Sequence, residues 1–140
     1  MRLLKLLAFL GALALGGNWL THRGPAVPAT PGGFIPVAMP DGAAPNTVII
    51  LAPLNCPSDA AQRADALARD LTEKGIPNVR SNSFQANIND PTPEQNAALE
   101  RSASVLNGTI PAVFLNGVAK SNPTASEVES EFRRTRAQSR

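Results

Sequence analysis

The stretch Thr47-Val48-Ile49-Ile50-Leu51-Ala52-Pro53-Leu54-Asn55-Cys56-Pro57-Ser58-Asp59 decides the fold. Its first six residues form a continuous β-branched and aliphatic run, the pattern of a central strand covered on both faces. Pro53–Asn55 ends that strand. Cys56, Pro57 and Asp59 then suit a helix start, with Cys56 at the N-cap, Pro57 at the first helical position and Asp59 at the third. In that register Asp59 reads as a capping-box residue for the Cys56 backbone N–H. Ala60, Ala64, Leu67 and Leu71 follow at helical spacing and give the helix one apolar face. Lys74 lies in its last turn, and Gly75 supplies a left-handed stop.

Downstream, Val79–Phe84 reads as a second, more polar extended segment. Thr92-Pro93-Glu94-Gln95 is a capping box with proline at the first position, and opens a second helix. Leu99, Ala103 and Leu106 make its apolar stripe, and Gly108 closes it. Ala112–Leu115 is a strand, Asn116-Gly117 a two-residue hairpin signal, and Val118–Lys120 the return strand. Thr124-Ala125-Ser126-Glu127, a further capping box, starts a third helix with Ala125, Val128 and Phe132 on its apolar face. Its acidic residues precede Arg133, Arg134 and Arg136, the order that complements the helix macrodipole. These arginines and Arg140 read as a solvated helix end. The order β-α-β-α-β-β-α, in roughly 90 residues, predicts an α/β domain with a mixed four-stranded sheet and helices on both faces.

Upstream of that domain the sequence changes character. Arg2 and Lys5 precede the apolar run Leu6–Leu15, and Ala14-Leu15-Gly16 offers small residues for signal-peptidase cleavage. Residues 1–21 therefore read as a signal peptide or an uncleaved N-terminal membrane anchor. Residues 22–45, rich in proline and glycine, read as a linker, because proline removes a backbone donor and fixes φ. Within it Phe34–Met39 is apolar enough to lie against the domain as a short extended strand, and His22 reads as an exposed linker residue. The domain itself is expected at 46–136, with residues 137–140 as a tail.

Composition narrows the function classes. The 140 residues include one Cys, one His and no Tyr, with 4% aromatics. A single cysteine excludes an intramolecular disulfide framework and Cys-cluster metal sites. So few aromatics argue against a stacking surface for nucleic acid, and no nucleic-acid partner is expected. The formal charge is +2, from 13 Lys+Arg against 11 Asp+Glu. Two of the basic residues, Arg2 and Lys5, belong to the leader, so removing it brings the balance to zero. With that goes the case for an acidic partner.

A buried strand running into Cys56-Pro57 at a helix start resembles the active-site corner of the thioredoxin-fold superfamily. Gly108-Thr109-Ile110-Pro111-Ala112-Val113-Phe114-Leu115-Asn116-Gly117 resembles the glutaredoxin segment that carries a cis-proline and the hairpin after it. The resemblance covers Asn46 to about Arg136 and implies a thioredoxin-like fold. It implies Cys56 as the catalytic thiol, Pro57, Ser58 and Asp59 as the active-site loop, and Thr109, Ile110 and Pro111 as substrate-binding residues, with Pro111 in cis facing Cys56. Asp59 stands where dithiol members carry a second cysteine and monothiol members a serine. Exchange would then be monothiol, and the Asp59 carboxylate is expected to raise the thiol pKa. Ser121–Ser126 replaces the Gly-Gly pair and acidic residue with which glutaredoxins hold glutathione, and Leu54-Asn55 replaces the basic residue often found before the cysteine.

The expectation is an exported or membrane-anchored protein of the periplasm or cell envelope, tethered to the inner membrane if the leader is retained. It exchanges Cys56 with a partner protein's thiol or with glutathione, and needs no cofactor and no metal. The alternative is a redox-inactive thioredoxin-fold binding or assembly module of the envelope, motivated by Asp59 and the missing Gly-Gly pair.

Overall fold

A computed structural model describes residues 27–139. The leader, the first part of the linker and His22 lie outside the described residues. Five strands and three helices follow in the order β1 (Ile35–Pro36), β2 (Val48–Leu51), α1 (Asp59–Glu73), β3 (Asn78–Ser81), α2 (Pro93–Leu106), β4 (Ala112–Leu115), β5 (Val118–Ser121) and α3 (Ala125–Gln138). The strands form one mixed sheet in the order β1-β5-β4-β2-β3. β3 runs parallel to β2, while β4 is antiparallel to β2, β5 to β4 and β1 to β5.

Burial explains why β2 is uniformly apolar. Successive side chains of a strand point to opposite faces, and both faces of this sheet are covered. Val48 and Ile50 join Val113 and Leu115 in one core cluster, with Ala64, Leu67 and Leu71 of α1 and Val128 and Phe132 of α3. Ile49 and Leu51 join Ala112 and Phe114 in the other, with Val105 of α2. There Phe84 packs against Phe114 with ring centroids 5.3 Å apart. α1 and α3 thus cover one face and α2 the other, so helices lie on both faces as expected.

The sheet has a strand more than the expected four, because the proline-rich segment is part of the core. Phe34 is fully buried on the α1/α3 face, Ile35 and Pro36 pair with Ala119 and Val118 of β5, and Val37 is buried on the α2 face. The chain therefore passes around the β5 edge from one face to the other. Proline is tolerated there because an edge strand does not need every ladder donor. Side chains satisfy the backbone of this arm. Lys120 Nζ donates to Gly32 O (2.9 Å), Arg101 Nε to Pro36 O (2.5 Å) and Ser102 Oγ to Ala38 O (2.9 Å). Thr30 Oγ1 donates to Glu131 Oε2 (3.0 Å), a carboxylate that is 2% exposed and also takes Arg134. The expected linker at 22–45 is thus, from Thr30 onward, an arm bonded to both faces of the domain.

Other local readings shift by small steps. On α1 the buried set is Ala61, Ala64, Leu67 and Leu71, so Ala61 replaces Ala60. On α2 the buried residues are Ser102 and Val105; Ala103 is exposed, and Leu99 and Leu106 are half-buried. Ser102 can be buried because its hydroxyl donates to Ala38 O and Ala98 O. β3 is the shorter Asn78–Ser81. Two of the three expected capping boxes are formed, Thr92 with Gln95 and Thr124 with Glu127. Asn116 (φ 45°) and Gly117 (φ 86°) make the β4–β5 hairpin, both left-handed as a two-residue type I′ turn requires.

Candidate functional site

The loop between β2 and α1 begins at the C-terminal end of a fully buried strand and comes out to solvent within two residues. Pro53, Leu54, Asn55, Cys56 and Pro57 are all exposed. Asn55 has φ 52°, a left-handed conformation that asparagine tolerates better than most residues. The N-cap of α1 is Ser58, not Cys56: its Oγ accepts the Ala61 N–H at 3.3 Å, and its O accepts the Gln62 N–H at 3.0 Å. A serine two residues after Cys56 caps better than a thiol, since a hydroxyl oxygen is the stronger acceptor. Pro57 accordingly precedes the helix, and Asp59 is its first residue rather than its third. That removes the capping-box reading of Asp59, which stands in the first turn as a favourable charge at the positive end of the dipole.

This shift decides the electrostatics of the thiol. Cys56 is free and exposed. The Ser58 hydroxyl and then the Ser58 backbone N–H hydrogen-bond its sulfur and hold the thiol below its ordinary pKa, against a smaller opposing effect of burial. Donors at a helix start favour the thiolate in this way. The expectation that Asp59 raises the Cys56 pKa is corrected: the net direction is downward, and Ser58 sets it.

The second expected cluster lies at the start of β4. The Ile110–Pro111 peptide is cis, Pro111 is fully buried, and Ile110 packs against both core clusters. Leu51 pairs with Ala112 across the β2–β4 ladder, so the strand end that leads to Cys56 and the segment around Pro111 are neighbours. Thr109 is exposed, and its carbonyl accepts from Ser121 Oγ at 2.6 Å. Gly108 does not act as a left-handed helix stop. A Cβ there would lie 2.4 Å from Ser121 Oγ and 2.8 Å from its Cβ, so glycine is needed for that close approach.

Two arginines that the sequence reading passed over hold the site's backbone. Arg63, on the exposed side of α1, donates through Nε (3.2 Å) and Nη2 (2.8 Å) to the Ile110 carbonyl. Arg80 of β3 donates through Nη2 to Pro53 O at 3.1 Å and pairs with Asp65 of α1. Both lie outside the apolar periodicity, and an arginine on a polar face carries no sequence mark of a carbonyl partner 47 or 27 residues away. A third backbone tie is Gln62 Nε2 to Pro57 O at 3.1 Å.

A pocket of about 450 Å³ opens between these pieces, lined by Leu51, Leu54, Phe84, Leu106 and Ile110, with Asn82. Leu54 of the cysteine loop and Ile110 of the cis-proline segment therefore border one cavity. Comparison of the chain with protein-family models, with curated proteins and with solved structures finds no match. The chemistry of the site therefore rests on its own residues: an exposed thiol of lowered pKa on the β2–α1 loop, a pocket bordered by Leu54 of that loop and by Ile110, and backbone carbonyls bonded by two guanidinium groups.

Proposed function

We propose that this chain is a thioredoxin-like, glutaredoxin-related protein, exported or anchored at the membrane, that carries out monothiol thiol–disulfide exchange through Cys56. The observation that carries the reading is the exposed Cys56 thiol, lowered in pKa by Ser58 at the start of α1. The order β3-β2-β4-β5, with β3 parallel and β4 and β5 antiparallel to their neighbours, supports the thioredoxin-like reading. So does the cis peptide before Pro111. Arg2 and Lys5 ahead of Leu6–Leu15 support export to the periplasm or envelope.

In this reading the Cys56 thiolate attacks one sulfur of a partner disulfide, protein-borne or glutathione disulfide. A new S–S bond forms at Cys56 Sγ, the old S–S bond breaks, and its other sulfur leaves as a thiolate. With one cysteine in the chain, the mixed disulfide is resolved by a second thiol from outside. Pro57, Ser58 and Asp59 form the loop, and Thr109, Ile110 and Pro111 flank the incoming group. No cofactor or metal takes part.

A second reading, a redox-inactive binding or assembly module, is favoured by Arg63. Its guanidinium occupies the Ile110 carbonyl, an acceptor that an added peptide strand would use. Mass spectrometry of the protein isolated from its natural compartment without reductant separates the two. Exchange predicts a reductant-removable adduct on the Cys56 peptide that is lost in Cys56→Ser. Quantitative recovery of the free thiol, with a Cys56→Ser chain that captures the same partners, would overturn exchange in favour of binding.

A further inference from the structure

Two stretches of the chain share one local sequence and meet different surroundings. Leu106-Asn107-Gly108-Thr109 and Leu115-Asn116-Gly117-Val118 both read Leu-Asn-Gly followed by a β-branched residue. An Asn-Gly pair is chemically labile in water, because the glycine nitrogen, unshielded by a side chain, attacks the asparagine Cγ. Glycine also permits the backbone rotation that the attack requires. Sequences this similar give the two pairs similar intrinsic lability, so a difference between them comes from the fold.

The fold holds both polar atoms of the Asn116 side chain. Oδ1 accepts the Asn46 N–H at 2.8 Å, and Nδ2 donates to Asn46 Oδ1 at 3.1 Å and to Thr135 Oγ1 at 2.9 Å. Thr135 is itself buried, and Asn116 is half-buried in the β4–β5 turn. Cyclisation there would break all three bonds. Asn107, by contrast, is the exposed C-cap of α2. Its backbone N–H donates to Ala103 O and Val105 O, while its side-chain amide has no partner among the described residues. Gly108 N donates to Val105 O at 3.2 Å, a single bond at a helix end, where the last turn frays. Cyclisation at Asn107 would break that one bond.

Conversion at this position would not be silent. The last turn of α2 carries no basic residue, so a carboxylate at 107 would face the negative end of the helix dipole uncompensated. Isoaspartate also runs the backbone through the side chain and lengthens it just before Gly108. There a Cβ would already lie 2.4 Å from Ser121 Oγ, and that hydroxyl donates to Thr109 O at 2.6 Å. The strain therefore falls on the turn that leads into β4.

We infer that Asn107 is a site of spontaneous modification, deamidating to aspartate and isoaspartate in the folded protein, and that the bonds from Asn46 and Thr135 keep Asn116 an amide. The inference is independent of the thiol-exchange reading. Gly108 N gives up its proton to hydroxide and bonds to Asn107 Cγ; the Cγ–Nδ2 bond breaks and the nitrogen leaves as ammonia. Water then opens the cyclic imide at either carbonyl, giving aspartate or isoaspartate. Nothing is oxidised or reduced, and water is the sole co-reactant.

The test incubates the full chain in mildly alkaline buffer, with a parallel sample in concentrated urea. Peptide mass spectrometry follows the amide-to-acid mass change at each asparagine, and electron-transfer fragmentation separates isoaspartate from aspartate. In buffer the Asn116 peptide should convert at least about tenfold more slowly than the Asn107 peptide, since it must break two more hydrogen bonds. In urea the two should convert at similar rates. Thr135→Val should speed Asn116 about threefold to tenfold, the effect of one hydrogen bond, and leave Asn107 unchanged. Asn46→Gly is the second variant, because glycine suits the φ of 53° at that position. An Asn107 that stays an amide in buffer while converting in urea would overturn the inference, as would an Asn116 that keeps pace with it in buffer. An Asn116 rate untouched by both variants would overturn the protecting network. The converted protein, separated by anion exchange, should melt below the amide form; equal melting would overturn the effect on the turn before β4.

Discussion

Two proline-rich stretches of this chain, the arm at 30–45 and the loop at 53–58, have similar local vocabulary and opposite fates. The arm buries Phe34 and Val37, crosses the β5 edge and receives hydrogen bonds from Lys120, Arg101 and Ser102. The loop leaves Pro53 to Pro57 in solvent and is tied at two carbonyls, by Arg80 to Pro53 and by Gln62 to Pro57. Proline excludes a helix in both but does not decide burial. What decides it is whether apolar side chains find a free sheet edge and whether remote side chains satisfy the backbone. The arm secures the fold, and the loop leaves a thiol accessible.

That contrast can be broken first where the arm is most buried. Phe34→Ala should lower unfolding free energy by about 3–5 kcal/mol, the usual cost of deleting a buried phenyl ring, measured by denaturant titration. A change under about 1 kcal/mol would return the arm to the status of a spacer. Glu131→Ala should cost less, about 1–3 kcal/mol, because it strips the partner from Thr30 Oγ1 and from the partly exposed Arg134. The same substitution should increase proteolysis near residues 27–33.

On the loop side, Ser58→Ala should cost about 1 kcal/mol for the lost N-cap. The diagnostic change is chemical: the thiol pKa of Cys56 should rise, because its principal hydrogen bond comes from the Ser58 hydroxyl. A Cys56 pKa that stays put in Ser58→Ala would detach the thiol from the helix start.

The smallest effect belongs to the Lys120–Glu127 pair, which sits between the arm and α3. The Glu127 pKa is lowered, first by hydrogen bonding to Lys120 and then by the Thr124 backbone N–H. A carboxylate with a depressed folded-state pKa contributes above its unfolded value, near ~4.3, and loses that contribution as pH falls through the folded value. The ion-pair part of Lys120→Ala should therefore be about 0.2–1 kcal/mol at neutral pH, in addition to the hydrogen bond to Gly32 O that the substitution also removes. The gap between parent and variant should narrow in acid, as urea titrations at pH 7 and pH 3 would read.

The elements that local chemistry dictates were legible in the sequence. β2 announced itself by its aliphatic run, α2 and α3 by their capping boxes, and the β4–β5 hairpin by Asn116-Gly117. Together they specified an α/β domain with a mixed sheet covered on both faces. The readings that failed depend on distant partners. Phe34–Met39 was legible as an apolar segment able to lie against the domain as a short strand, but its place as a fifth strand was not, because nothing nearby in sequence shows that β5 leaves an edge open. Ser102, a polar residue, is buried because Ala38 offers it an acceptor 64 residues away. Near the β2–α1 loop, the exposure of Cys56 and the cis peptide before Pro111 were expected from motif and order. The N-cap was placed two residues early, since both Cys56-Pro57 and Ser58-Asp59 are plausible helix openings and only the folded backbone chooses between them. Arg63 and Arg80 were missed because carbonyl capping by an exposed guanidinium leaves no periodic signature.

The most direct test of the account is the rate of Cys56 alkylation by iodoacetamide as a function of pH in the full-length, otherwise unmodified chain. Its single cysteine makes the rate unambiguous. A thiolate held by Ser58 predicts an apparent pKa below the unperturbed ~8.5. A value at or above that figure would contradict Cys56 as an activated thiol and, with it, the thiol-exchange function.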